Sequence, residues 1–221
     1  MSELAASKGE RTRHKLVATA ARLFERQGYH ATGLAEILEE SGAPRGSLYF
    51  HFPGGKDELA CAALGQAGAA WRARIESVLA RAPNLGVAVD EVCKLLADDL
   101  AASGYEHGCP VAAVALEAPA TSDTIRQAVE AHYTEWRELI VDRLATTAVA
   151  REPARQLAVF ALAAIEGALL LAKAQRSRDP LITVGAMLRA MANLQLGLAE
   201  VKPSASRGVR AGRSRARSAR R

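Results

Sequence analysis

The sequence predicts an all-α protein, and three observations carry that prediction. Apolar residues recur at three- and four-residue spacings along most of the 221-residue chain. Hydrophobic residues make up 49 % of it and aromatics only 5 %, with abundant alanine, which suits Ala/Leu/Val-packed helices better than a sheet. No stretch sustains the period-two alternation of a half-buried strand. The length suits one compact domain, or two small ones sharing a helix.

The first helix is expected over residues 11–27, where Leu16, Ala20, Leu23 and Phe24 share a face and Gly28 stops it. A short helix over 34–40 turns Leu34, Ile37 and Leu38 inward, and Ser41-Gly42-Ala43-Pro44 breaks it. A third, over 45–51, follows at once and ends at Phe52-Pro53-Gly54-Gly55. The long helix 56–82 carries Leu64, Trp71, Ile75 and Val78 on one face and stops at Pro83-Asn84. A fifth, 85–103, buries Val89, Val92, Cys93, Leu96 and Leu100, and a loop over 104–108 holds Tyr105 and His107. A short, nearly uncharged helix spans 109–118 and ends at Pro119. Ser122 caps a helix to about residue 147, with Ile125, Val129, Trp136, Ile140 and Leu144 in register. The last two helices, 153–176 and 180–200, are apolar nearly all round, so each must be buried on more than one side. That means either the deep core of a large monomer or pairing with a second copy; with so few helices to cover them, a homodimer is expected.

The formal charge of +5 hides an asymmetry. Residues 202–221 hold eight Lys/Arg and no acid, which leaves −3 for residues 1–201. Residues 1–58 carry eight basic and eight acidic side chains, so a basic body is no argument for nucleic-acid binding. The Ser/Arg/Ala/Gly tail has no periodic apolar face and is expected to be disordered. Cys61, Cys93 and Cys109 are odd in number and form no CxxC pattern, as in a reduced, cytoplasmic protein. The N-terminal residues have no apolar signal core. The most apolar run, 157–172, is broken by Glu166 and falls short of the ~20 residues of a membrane span. No membrane, metal or cofactor is implied. There is no GxSxG, phosphate loop or His/Asp/Cys cluster, so an enzyme is not expected.

The informative stretch runs from Thr32 to Lys56. Two short helices joined by a tight glycine-containing turn make a helix-turn-helix, whose second helix presents its N-terminal residues to base edges in the major groove of double-stranded operator DNA. Arg45 can reach guanine or a phosphate, Gly46 lets the backbone approach, and Ser47 supplies a small hydroxyl. Tyr49 and His51 extend from the same region. Lys56, at the next helix start, suits a phosphate, as does Thr32 before the first short helix. Phe50 and Phe52 read as hydrophobic anchors toward the first and fourth helices.

The run Leu16–Phe24, Gly28-Tyr29, Gly42-x-x-x-Gly46-Ser47-Leu48-Tyr49-x-His51-Phe52 and Lys56 resembles the TetR family of transcriptional regulators over residues 11–60. Phe52-Pro53-Gly54-Gly55-Lys56 and Gly108-Cys109-Pro110-Val111-Ala112-Ala113 resemble its drug- and flavonoid-responsive LmrA/YxaF-like branch. The resemblance implies a dimeric repressor with a helix-turn-helix domain over 1–55, a ligand-binding and dimerisation domain over 56–201, and the tail outside both. It carries DNA contacts to Thr32, Arg45, Ser47, Tyr49, His51 and Lys56. Gly33, Leu34, Leu38 and the extra glycine before Lys56 depart from the family pattern.

A small-molecule effector, apolar or aromatic, is expected between the fourth and seventh helices, near Trp71, Cys109, Val111, Val114, Tyr133, Trp136 and Glu166. Glu166 is the oddest of these, because a lone buried carboxylate is costly. It can meet a ligand amine, Arg137 or Lys173. Two further readings stand beside the effector. Cys109 at a helix start can act as a redox or electrophile sensor. Alternatively, the chain is a helical adaptor that holds DNA non-specifically through its tail.

Overall fold

The computed structural model describes residues 7–118, 120–147 and 149–200, with side chains described to residue 194. The expected disordered tail, 202–221, lies outside the described residues. Among those residues the chain forms helices and no strands. In order they are α1 (Lys8–Gln27), α2 (Leu34–Ser41), α3 (Arg45–His51), α4 (Gly55–Arg81), α5 (Leu85–Ala102), α6 (Pro110–Ala115), α7 (Asp123–Ala145), α8 (Arg151–Gln175) and α9 (Asp179–Glu200).

The first helix begins three residues before the expected start. The Ser7 hydroxyl accepts from the Glu10 amide at 3.2 Å while the Glu10 carboxylate accepts from the Ser7 amide at 2.6 Å. This reciprocal cap satisfies two amide donors that a helix end otherwise leaves unpaired. Asn84 caps α5 through Oδ1 on the Val87 amide at 2.9 Å. The expected cap at Ser122 is present, its Oγ accepting from the Ile125 amide at 3.4 Å. The eighth helix starts at Arg151 rather than 153, so Pro153 lies inside its first turn, where no amide donor is required.

Helices α1, α2 and α3 fold around Leu16, Leu23, Phe24, Ile37, Leu48 and Phe52, each 1 % exposed or less. The same buried cluster continues without a break through Leu59 and Leu64 of α4 to Val111, Val114, Ile125 and Leu169. Helix α4 therefore belongs to both ends of the molecule. A second cluster, with Leu85, Cys93, Val141, Leu144 and Leu188, joins α5, α7, α8 and α9. Helices α5 and α9 run in close contact: a Cβ on Gly185 would stand 2.8 Å from the Cβ of Cys93, so only glycine permits this approach.

Helices α8 and α9 leave an apolar face uncovered. Val159, Phe160, Leu170 and Leu171 of α8, with Met187 and Leu194 of α9, are about half exposed or more. By length and hydropathy α8 also meets the requirements of a membrane span, which corrects the reading that its apolar run is too short. Glu166, within that run, shares the wall of an internal cavity with Cys109.

Candidate nucleic-acid interface and adjoining cavity

The turn between α2 and α3 follows from its residues. Gly42 takes a left-handed conformation (φ 64°) that ends α2, and the Ser41 hydroxyl accepts from the Ala43 amide at 3.3 Å. Pro44, in extended backbone, starts α3. Leu48 and Phe52, four residues apart, pin α3 to the core, and Arg13 covers the Phe52 ring at 5.3 Å. The opposite face is free. Arg45 and Gly46 are exposed at the helix start, Tyr49 is 62 % exposed, and Phe50 is 80 % exposed.

Phe50 is therefore no hydrophobic anchor. Two residues along a helix is about 200° around it, so Phe50 points away from the face that Leu48 and Phe52 bury. It stands with Tyr49 as an aromatic pair on the exposed side of α3. Ser47 and His51 are half-buried, His51 edge-on to Phe50 at 4.9 Å between ring centroids.

Thr32 does not face solvent. It is fully buried, and its hydroxyl donates to the Gly28 carbonyl at 2.7 Å while its amide donates to the Tyr29 carbonyl at 3.3 Å. Both donors are used to close the loop between α1 and α2, which removes Thr32 as a phosphate contact. Lys56 lies with its ammonium 4.3 Å over the Tyr29 ring. Partial burial holds its pKa below the ordinary lysine value, an effect opposed by Glu117 and Asp57.

The loop over residues 28–32 is gripped from both sides. The Asp57 carboxylate accepts from the Ser122 hydroxyl and from the Tyr29 hydroxyl, and these two bonds hold its pKa below the usual carboxylate range. From the end of α6, Glu117 Oε2 accepts from the His30 amide at 2.7 Å. Gly28 makes that grip possible, because at φ +86° a Cβ there would sit 2.1 Å from Glu117 Oε1. Nearby, Glu25 of α1 accepts from the Gly108 amide at 3.1 Å. The segments before and after α6 thus hold α1 and the loop that follows it, contacts between residues more than 80 positions apart that no local pattern announces.

Behind this joint lies a cavity of about 70 Å³ between α4, α5, α7 and α8. Trp71, Cys109, Trp136 and Glu166 line it, joined by Ile75, Val89, Leu162 and other apolar side chains of α5 and α8. Tyr133 lines instead a neighbouring cavity of about 330 Å³, which shares Cys109, Glu166 and Leu169 with the first. Val111 and Val114 do not line the inner cavity. Both are sealed in the core cluster, because α6 presses that face against the rest of the bundle rather than toward the open space.

Glu166 hydrogen-bonds the Cys109 thiol, and burial holds its carboxyl above the usual range. Neither expected cation reaches it: Arg137 donates to Thr134 Oγ1 at 2.7 Å, and Lys173 lines the outer cavity, its charge felt by Glu25. Cys109 caps α6, its sulfur accepting from the Ala112 amide at 3.4 Å. Burial and the adjacent Glu166 push this thiol well above its ordinary value. That is the reverse of an activated thiolate, and it removes Cys109 as a low-pKa sensor.

Comparison with known proteins adds two family matches. Residues 16–63 match the bacterial regulatory proteins of the tetR family, and residues 86–187 match the C-terminal domain described as transcriptional regulator LmrA/YxaF-like. The chain is 32 % identical over 177 residues to the HTH-type transcriptional regulator LmrA of Bacillus subtilis, covering 80 % of this chain and 94 % of that protein. It is 34 % identical over 178 residues to YxaF of the same organism, covering 80 % and 93 %. The crystal structure of a TetR transcriptional regulator from Chloroflexus aurantiacus superposes with a TM-score of 0.68 at 31 % identity, covering 84 % of this chain and 96 % of that one.

Proposed function

The chain belongs to the TetR family of transcriptional regulators, with an LmrA/YxaF-like C-terminal domain, and on that premise we propose that it is a homodimeric repressor released from operator DNA by a small apolar molecule. The observation that carries the reading is the free face of α3. A helix held by Leu48 and Phe52 presents Arg45, Gly46, Tyr49 and Phe50 outward, with Ser47, His51 and Lys56 at its margins. That is the arrangement a groove-reading helix requires: a guanidinium for guanine or phosphate, a backbone free of Cβ, and aromatic bodies for thymine methyls and sugars. The functional division follows, with residues 1–55 reading DNA and 56–201 binding effector and partner.

The uncovered faces of α8 and α9 support a second copy as their partner, and a cytoplasmic regulator uses them for pairing rather than for lipid. Two reading heads must sit about 34–36 Å apart to meet one face of DNA. Helix α4 links the cavity at Trp71 to the joint at Lys56 and Asp57, so a ligand that favours another tilt of α4 changes that separation. The eight cations of residues 202–221 add phosphate contacts without sequence preference.

Selection of random duplex DNA against the full chain and a 1–201 truncation, at moderate salt, tests the reading. Enrichment of one inverted repeat by both is expected, with the full chain binding more tightly and losing affinity more steeply with salt. Retention of DNA by the full chain alone, without sequence preference, would show the tail to be the binding element and overturn groove reading by α3.

A further inference from the structure

One large side chain of the reading head has neither a place in the core nor a polar group. Phe50 is 80 % exposed, while Leu48 and Phe52 on either side of it are buried. At about 100° per residue, Leu48 and Phe52 centre the buried face of α3 and Phe50 stands directly opposite, one turn after Gly46 on nearly the same line. A Cβ on Gly46 would meet nothing within 4 Å. The most outward line of the helix is therefore a bare backbone followed, one turn later, by a whole aromatic ring. That ring has one neighbour to set it. His51 lies edge-on to it, and a Cβ on Gly9 at the start of α1 would stand 3.8 Å from the imidazole.

Resting on the operator reading above, we propose that Phe50 is a specificity-determining residue, which packs its ring against the 5-methyl group of a thymine in the major groove. Every other feature that a base pair shows in that groove is a hydrogen-bond donor or acceptor. A hydrocarbon ring laid over one of those strips it of water and returns no bond, so the contact is unfavourable. The thymine methyl alone gains from being covered. Tyr49 differs, because its hydroxyl can serve a phosphate or a polar base edge as readily as its ring can serve a methyl. Arg45 and Ser47 are polar outright. Sugars edge the groove and are met from the flanks of a helix, whereas Phe50 is on the line that faces the floor. Each half-site is thus expected to carry one thymine chosen by Phe50.

The test removes the methyl and nothing else. The operator found by selection is remade with deoxyuridine in place of one thymine at a time, at matching positions of both half-sites, and titrated with the full chain. At one position the wild type is expected to lose roughly 10–20-fold in affinity, about fourfold for each of two methyls. Phe50→Ala is expected to bind the thymine and uracil forms of that operator alike, with an unchanged midpoint in urea because the side chain is exposed. Tyr49→Ala is expected to bind more weakly but to keep the thymine preference. The wild-type series stands without any variant: uracil tolerated at every position, or a selected half-site without thymine, overturns the proposal and leaves operator recognition intact. A thymine preference that persists undiminished in Phe50→Ala overturns it too, since another side chain then reads the methyl. If selection yields no inverted repeat, the operator reading falls and this proposal with it, an outcome distinct from a repeat that is indifferent to uracil.

Discussion

The two ends of α4 sit in different kinds of interior. At its start, Phe24, Leu48, Phe52 and Leu59 are almost wholly buried against one another. Toward its C-terminal half, Trp71, Ile75 and Leu79 are only half-buried and border empty space. A close-packed region resists change, because every displacement meets another atom, whereas one with free volume has more than one way to settle. The reading head is thus built to keep its shape and the body to alter its own. The two regions are joined through α4, through the gripped loop at residues 28–32 and through the contact of Glu25 with Gly108.

Truncating one apolar side chain at each end gives the largest expected effect. Phe52→Ala should cost about 3–5 kcal/mol in urea unfolding, from lost burial and the cavity it leaves in a full core. Ile75→Ala, at a half-buried wall that already faces space, should cost on the order of 1 kcal/mol. Equal losses would mean that the cavity wall is packed as firmly as the head, and the contrast between the two ends would fail.

The joint comes next in size. Gly28→Ala forces a side chain into a conformation (φ +86°, ψ 170°) that is essentially glycine's own, and drives its methyl into Glu117. A loss of roughly 1–3 kcal/mol is expected in thermal unfolding, with weaker operator binding. Adding Glu117→Ala should recover the part due to the clash and none due to the backbone. No recovery in the double variant would mean that Glu117 does not hold the loop.

Arg45→Ala separates the head's surface from its interior. The exposure of Arg45 predicts an unchanged unfolding midpoint, while operator affinity falls by about 1–3 kcal/mol. If Arg45 reads guanine, preference relaxes at one base pair; if it holds a phosphate, the salt slope falls by about one. A shifted midpoint would place Arg45 in the fold rather than the interface.

These contrasts follow what was legible before the structure. The all-α class, the TetR resemblance, the turn at Gly42 and the short helices were all readable, because a 3.6-residue period and a breaking glycine are local signals. Phe50 was misread although its position, two residues from both Leu48 and Phe52, already turned it outward. The Ser7–Glu10 cap was equally local and passed over. Thr32 was another matter, since its hydroxyl is taken by a carbonyl that only the folded loop brings near. The grip of Glu117 on His30 joins residues 87 positions apart, and the cavity is a property of empty space among helices. Periodicity marks which residues go inside; it says little about which of them meet.

The smallest expected effect concerns the one acid in the cavity wall. Burial raises the Glu166 carboxyl, so the folded state keeps its proton to higher pH than the unfolded chain does. Between the unfolded and folded values the native state binds more protons, and stability therefore falls as pH rises through that window, by no more than about 1.4 kcal/mol per pH unit for a single group. Glu166→Gln removes this cost and should be more stable than the wild type above the window and no more stable below it. Glu25, also raised by burial, bends the curve in the same direction, so the difference between wild type and variant is the quantity to read. Parallel curves for the two proteins would mean that Glu166 titrates alike folded and unfolded. An E166Q chain less stable at neutral pH would mean instead that a charged partner pairs with the carboxylate. Either result would make the wall of the cavity more polar than the head's core, by a route the packing contrast does not include.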